Sequence, residues 1–311
     1  MGRELSQLAA IVLGAAAGGG FPQWNCRCAV CRLAWAGDQR VKPRTQASLA
    51  VSADGERWIL LNASPDLRAQ IQANQTLHPR GQAHDNARGS PIVAVVLTGA
   101  EIDQTAGLLS LRERSPFTLC ATAATLAAIA DNPMFAALAP DMVSRRAVVP
   151  GERFALGYGI EAELFIVPGK VPLYLEGDDP DTASESAANV GVEISNGASR
   201  LAFVPGAAAI TPAVMQRLAR ADVIFFDGTL FRDDEMIATG TGTKTGRRMG
   251  HMPLDGPDGS LATLAGLRAR RIFVHINNTN PILIEGSPER GRVVAAGWEI
   301  AEDGLEVKLC S

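Results

Sequence analysis

Val95-Val96-Leu97-Thr98-Gly99-Ala100-Glu101-Ile102-Asp103-Gln104-Thr105-Ala106-Gly107-Leu108-Leu109 is the stretch on which the fold turns. Apolar residues run from Ala94 up to Thr98, Glu101 and Asp103 follow, and a helical pattern then begins. A buried strand that ends in a loop and turns into a helix has this pattern. Side chains two apart on an extended strand end point the same way, so Glu101 and Asp103 are expected to face one spot. Two carboxylates converging there are costly unless a positive charge sits between them, and a metal ion is the usual answer. The plainer alternative is a strand-to-helix junction in which Asp103 N-caps the helix.

Outward from that stretch, 311 residues allow one large α/β domain or two ordinary ones. Hydrophobic residues make up 47% and charged ones 20%, enough for a sizeable core. A net charge of −4 leaves no broad basic footprint and argues against nucleic acid as the partner. The apolar run 8–17 is too short to span a bilayer, and a cytoplasmic location is expected. No solenoid-length repeat and no linker divides the chain, which predicts one domain over 1–311, and a homodimer is compatible with it.

Five cysteines, an odd number, fit poorly with a secreted disulfide framework. Three of them stand as Cys26-Arg27-Cys28-Ala29-Val30-Cys31, a spacing that points to a metal site. A tetrahedral zinc there needs a fourth ligand, for which Cys310, Asn278 and a histidine are candidates. Cys120 lies in an apolar run and reads as core.

Along the chain, strands are expected at 11–13, 48–51 and 58–61, with Asn62 or Ser64 capping a helix that has Pro65 at its first turn. Segment 80–90 is polar and reads as a loop, with His78 and His84 exposed rather than ligating. Segment 108–114 looks helical, 117–121 a strand, and 122–138 helical with a break near Pro133. Antiparallel strands are expected within 148–167, and the clearest hairpin spans 190–204 around Asn196-Gly197. Between them, Glu176-Gly177-Asp178-Asp179-Pro180-Asp181 reads as a solvated loop, with a flap over the site as the sharper alternative. A helix over 211–221, a buried strand over 223–226, a helix over 260–270 and a strand over 272–274 come next. A helix over 288–296 precedes a last hairpin through Asp303-Gly304. Strands followed by helices in both halves fit a two-layer sheet core with helices outside.

Three further residues can join Asp103. Asp227 ends a strongly apolar strand, His275 does the same after Ile272-Phe273-Val274, and His251 lies in the loop that follows Arg247-Arg248-Met249-Gly250. Polar residues at the ends of several buried strands are how α/β folds build a site at one sheet edge. Two histidines and a carboxylate with open positions suit a non-haem Fe(II) oxygenase. Asp103, Asp227 and His275 are expected as ligands, with His251 as a further candidate and Glu101 as an added ligand or base.

The opening loop resembles the Thr-His-x-His-x-Asp-His signature of the metallo-β-lactamase superfamily. Gly99, Glu101 and Gln104 stand where that signature has histidines, and Asp103 is kept, so an ordinary dizinc hydrolase is not expected. Gly18-Gly19-Gly20-Phe21-Pro22-Gln23-Trp24-Asn25-Cys26 is similar to the N-terminal signature of the PqqB family of pyrroloquinoline quinone (PQQ) biosynthesis. So are Asn62-Ala63-Ser64-Pro65-Asp66, Gly107-Leu108-Leu109-Ser110-Leu111-Arg112-Glu113, Asp227-Gly228-Thr229-Leu230 and Arg248-Met249-Gly250-His251. His275-Ile276-Asn277-Asn278-Thr279-Asn280-Pro281-Ile282-Leu283 completes the series, which spans essentially the whole chain.

The resemblance implies an αββα sandwich of two mixed sheets flanked by helices, with a structural zinc at Cys26, Cys28 and Cys31. It implies a role in making the quinone from a peptide-derived Glu-Tyr diamino acid, by iron-dependent hydroxylation of the tyrosine ring with O2. An older view of the family implies instead a carrier of PQQ or its precursor towards the periplasm. Such a substrate carries carboxylates, for which Arg68, Lys244, Arg247 and Arg248 are the expected anchors. Other proteins of the same biosynthesis are possible partners.

Overall fold

A computed structural model describes residues 7–80, 88–177 and 181–309. Its strands in chain order are β1 (Leu8–Gly14), β2 (Ser48–Ser52), β3 (Trp58–Leu61), β4 (Ile92–Val96), β5 (Phe117–Ala121), β6 (Val143–Ala147) and β7 (Arg153–Gly157). They continue as β8 (Ile160–Ile166), β9 (Val190–Ser195), β10 (Arg200–Val204), β11 (Val223–Asp227), β12 (Arg270–Val274), β13 (Trp298–Ile300) and β14 (Glu306–Leu309). The α-helices are α1 (Ala29–Trp35), α2 (Leu67–Ala73), α3 (Ile102–Thr105), α4 (Ala123–Ala130), α5 (Pro212–Leu218), α6 (Glu235–Ala238), α7 (Ser260–Thr263) and α8 (Pro288–Ala295).

Two mixed seven-stranded sheets result, ordered β14-β1-β2-β3-β4-β5-β6 and β13-β12-β11-β10-β9-β8-β7. Strand alternation sorts their side chains into layers. Leu8, Ala10 and Val12 of β1 face the core between the sheets, together with Phe203 and Phe225 of the other sheet. Ile11 and Leu13 point outward, onto Leu67 of α2 and Ile129 of α4. On the far side Ile224 and Phe226 of β11 pack against Leu218 of α5 and Val293 of α8. Helix, sheet, sheet and helix is the metallo-β-lactamase arrangement that the sequence motifs imply. Phe225 has no exposure, and truncating so buried an aromatic costs about 3–5 kcal/mol.

Several local expectations need correction. The turn through Asp303-Gly304 is not a hairpin, because β13 pairs with β12 while β14 pairs with β1 in the opposite sheet. The chain there crosses between layers, a choice that local turn chemistry cannot express. Helical structure after Thr98 starts at Ile102 and tightens into a 3₁₀ segment at Ala106–Leu111, rather than running over 108–114. The helix expected over 260–270 ends at Thr263, since Arg270 already pairs with Val223 in β11. Neither Asn62 nor Ser64 caps α2. Asp66 precedes that helix, while the Asn62 side chain is committed to Thr98. Cys120 is buried core, as expected.

Backbone bridges join the two sheets at one rim. Ala17 N donates to Ile276 O and Ile276 N donates to Ala15 O, at 2.9 Å each, so the segment after β1 is tied to the segment after β12. Val190 N donates to Thr98 O at 2.9 Å and ties the start of β9 to the end of β4. These ties bring the C-terminal ends of β4, β11 and β12 together, where Asp103, Asp227 and His275, the candidate site residues, lie.

Candidate metal centres

The β11–β12 pairing sets the first part of the cluster. Asp227 is in register with Val274, and His275 follows at once with a left-handed backbone (φ 55°) that bends the chain off the strand. Asp227 is fully buried, and three donors hold its carboxylate while leaving acceptor capacity on Oδ2. Ala207 N reaches Oδ2 at 2.9 Å, Thr229 N reaches Oδ1 at 3.0 Å, and the Thr229 hydroxyl donates to Oδ1 at 2.6 Å. His251 Nδ1 lies 2.7 Å from Asp227 Oδ2. The imidazoles of His251 and His275 are stacked, with centroids 5.1 Å apart.

Thr229 stands at the centre of this group. With its proton committed to Asp227, its oxygen faces His275 Nδ1 at 2.8 Å and His251 Nδ1 at 3.1 Å. A proton on His275 Nδ1 is then held by Thr229, which aims Nε2 at Asp103 Oδ2, 2.9 Å away. A bare imidazole lone pair against a carboxylate is repulsive, so this contact calls for a proton or a metal cation between the two atoms. Sequence reasoning missed Thr229. Its signals were its place two residues after a buried strand-end aspartate and its presence in Asp227-Gly228-Thr229-Leu230, a motif that by itself assigns the threonine no role.

Charge follows the same geometry. Burial opposes ionisation of Asp103, but the His275 hydrogen bond and the nearby imidazoles outweigh it and hold the carboxyl below its ordinary range. Asp227 is likewise lowered against burial, by the charge and hydrogen bond of His251, by His275 and by Thr229. Burial pushes His275 down, yet the Asp103 hydrogen bond and the charges of Asp103, Asp227 and Glu101 leave it raised.

The donor set fits a metal ion. One ligand atom each from Asp227, His251 and His275 falls within a 4.8 Å group, and Asp103 joins through His275. Ligands at about 2.1 Å and right angles stand about 3 Å apart, which the 2.7 and 2.9 Å contacts approach.

Glu101 does not join them. It N-caps α3 rather than extending β4, so Glu101 and Asp103 do not share a strand face. Glu101 and Gln104 form a reciprocal capping box, and the cap is therefore not Asp103. The Glu101 carboxylate instead meets Lys170 Nζ at 2.9 Å and accepts from Leu173 N at 3.2 Å. A Cβ on Gly99 would stand 2.6 Å from Gln104 Oε1, so the amide fills the space beside the glycine.

Above the cluster opens a cavity of about 370 Å³ whose walls include Glu101, Lys170, Glu176, Asn189, Lys244 and Asn277. Lys244 and Arg248 lie near its mouth, each 3.6 Å from Glu176 Oε2. Of the four expected anchors only Lys244 lines it; Arg248, Arg247 and Arg68 do not, and Arg68 is exposed on α2. Glu176 is not solvated as its acidic run suggests, since its side chain is 7% exposed and ion-paired. Residues 178–180 of that run lie outside the described residues. His78 Nε2 is 3.1 Å from Gln72 O, and His84 lies outside the described residues.

The three cysteines form a second group within 4.8 Å. Cys28 N-caps α1 and accepts from Cys31 N. The Asn278 amide rests on the sulfurs, with Nδ2 at 3.1 Å from Cys26 Sγ and 3.3 Å from Cys31 Sγ. Burial pushes the Cys31 thiol up to about 12 and raises Cys28. Zinc–sulfur bonds of about 2.3 Å in a tetrahedron put sulfurs about 3.8 Å apart, so this group fits zinc. Of the proposed fourth ligands, Asn278 is adjacent, and Cys310 lies outside the described residues. No described helix is long and apolar enough to cross a membrane.

Comparison with known proteins places this geometry. Residues 57–276 match the model of the β-lactamase superfamily domain. The chain is 54% identical over 300 residues to coenzyme PQQ synthesis protein B of Methylorubrum extorquens, covering 96% of this chain and 99% of the relative. It is 54% identical over 307 residues to the protein of the same name from Rhizobium meliloti, covering 98% and 99%. A crystal structure of Zn2+-bound PqqB from Methylobacterium extorquens superposes with a TM-score of 0.94, covering 97% of this chain and all of that one. A diphosphatase of the PhnP family, 22% identical with a TM-score of 0.66, shares the fold. On these matches the chain belongs to the PqqB family, the coenzyme PQQ synthesis B proteins of the β-lactamase superfamily.

Proposed function

We propose that the chain acts in PQQ synthesis as an iron-dependent hydroxylase, placing one atom of O2 on the tyrosine ring of a peptide-derived Glu-Tyr diamino acid in place of a ring hydrogen. The other atom leaves as water, with two electrons and two protons from an external two-electron reductant. The observation that carries this is that Asp103, His251 and His275 line a cavity large enough for a small molecule, with the buried Asp227 held against His251 behind them. Fe(II), when bound there, would supply the redox chemistry with dioxygen that no side chain of the cavity can supply. Thr229 and the backbone donors of Ala207 and Thr229 hold Asp227 in one rotamer, and Thr229 fixes the tautomer of His275. Lys244, which lines the cavity, and Arg248, which reaches it through the lining residue Glu176, anchor the substrate's carboxylates, whereas Arg247 and Arg68 do not line it. Glu101 holds the segment 170–173 against the cavity through Lys170 and Leu173 N. Cys26, Cys28, Cys31 and Asn278 hold a structural zinc that ties the N-terminal loop to the segment after β12.

The test is anaerobic loading with Fe(II), addition of the Glu-Tyr diamino acid, a two-electron reductant such as ascorbate and O2, and mass spectrometry of the product. A gain of oxygen supports the hydroxylase. Stoichiometric binding without any oxygenated product, in a folded and iron-loaded sample, favours a carrier of PQQ or its precursor.

A further inference from the structure

At the cavity mouth one carboxylate is surrounded by three cations of its own chain. Glu176 Oε1 lies 2.6 Å from Lys170 Nζ, and Oε2 lies 3.6 Å from both Lys244 Nζ and Arg248 Nη1. Only the Lys170 ion pair lies within hydrogen-bond distance, and its geometry still leaves the buried Glu176 Oε1 without a hydrogen-bond partner. Arg248 Nη1 is buried without a hydrogen-bond partner, so the cradle keeps an unused donor facing the carboxylate. Lys170 is fixed in place by its surroundings. Its ammonium is shared with Glu101, and its stem passes Gly250, where a Cβ would stand 3.2 Å from Lys170 Cγ. Gly250 is left-handed (φ 85°), which favours glycine at that crossing.

We propose that Lys170, Lys244 and Arg248 form a carboxylate-binding subsite, and that Glu176 occupies it as an internal surrogate which a polycarboxylate ligand displaces. One glutamate leaves the cradle under-filled, because two of its three cations stand beyond hydrogen-bond distance. A ligand carboxylate free of a main-chain tether can approach all three, and the guanidinium offers it a bidentate face. Glu176 then swings outward with its exposed neighbours Leu175 and Gly177, and the cavity opens at the mouth. Competition by the tethered glutamate lowers ligand affinity and rejects uncharged molecules, which would leave the cations paired as they are. The proposal rests on reading this cavity as the substrate site, and it does not depend on the oxygen chemistry.

The experiment is equilibrium binding of PQQ itself, a quinone bearing several carboxylates, followed by fluorescence or calorimetry. Glu176→Gln keeps the shape and removes the competing charge, so PQQ is expected to bind about tenfold tighter than to the unsubstituted chain. Lys170→Met is expected to weaken binding at least tenfold in both backgrounds. On the unsubstituted chain, glutarate is expected to displace PQQ and the neutral glutaramide is not. Unchanged or weaker binding by Glu176→Gln overturns the proposal. So does equal competition by glutaramide, or the absence of PQQ binding to every form. Since none of these readouts needs iron or turnover, failure of hydroxylation with this binding pattern intact would count against the hydroxylase alone.

Discussion

Asp103 Oδ2 lies 2.9 Å from His275 Nε2, although 172 positions separate the two residues in the chain. One follows a strand of the first sheet and the other a strand of the second, so their contact is a property of how the sheets meet. It carries a proton or a metal ion, and most of the expected behaviour of the site follows from that choice.

Asp103→Ala removes the acceptor opposite His275. Metal analysis is expected to show loss of the metal held by the Asp227, His251 and His275 group, with the cysteine-bound zinc retained. Undiminished metal content at that group would take Asp103 out of the ligand set.

Stability of the metal-free chain is expected to peak between about pH 4 and pH 6.5. The lowered Asp103 and Asp227 contribute stability that is present above the unfolded carboxyl value and lost as pH falls through their folded values. The raised His275 contributes stability present below the unfolded imidazole value and lost as pH climbs through its folded one. Tm measured across pH 3 to 9 checks this, and a metal-free Tm that rises steadily above pH 7 contradicts it.

Thr229→Val keeps the shape and deletes the hydroxyl. Asp227 loses its 2.6 Å donor and His275 its tautomer partner, so metal affinity is expected to fall about 10–100-fold. Folding stability should drop by about 1–3 kcal/mol. Titration of Fe(II) or Zn2+ and denaturant unfolding separate the two effects. A loss of stability with unchanged metal affinity would make Thr229 a structural residue only.

Zinc binding at the three cysteines would have to displace thiol protons, because burial lifts Cys31 to about 12 and raises Cys28. Zinc affinity is therefore expected to rise steeply with pH, with proton release seen by calorimetry in buffers of different ionisation enthalpy. Cys31→Ser should lower zinc content to near the amount held by the other site. Asn278→Ala should weaken binding less if Asn278 only donates to the sulfurs, and as much as Cys31→Ser if it ligates.

Gly99→Ala places a methyl group 2.6 Å from Gln104 Oε1 and 3.0 Å from Ala188 O. Overpacking of this kind costs about 1–3 kcal/mol. Gly99→Ala combined with Gln104→Ala should recover part of that loss, and a double-mutant cycle reads the coupling. Strict additivity would show that the amide does not fill this space.

Much of the fold was legible residue by residue. Alternating or continuous apolar runs marked β2, β3, β9, β10 and β11, and Asn196-Gly197 marked the turn between β9 and β10. Those signals are local, since a strand's burial pattern reports its own two faces. The 303–304 turn was misread because a hairpin and a sheet-to-sheet crossover use the same turn residues. The chemistry of Glu101 was misread because two residues of loop, once helical, no longer share a face.

The amino-acid sequence by itself determined the strand-ending acids and histidines, the cysteine triplet and the motifs of the family, because residue type and spacing are enough to specify them. Only the tertiary structure decided that Asp103 meets His275, that Thr229 stands among the candidate ligands, and that Glu176 fills a cradle of cations. Those pairings span two sheets and distant loops. They are set by backbone bridges at the rim and by packing of the inner faces, neither of which leaves a periodic trace in any one segment.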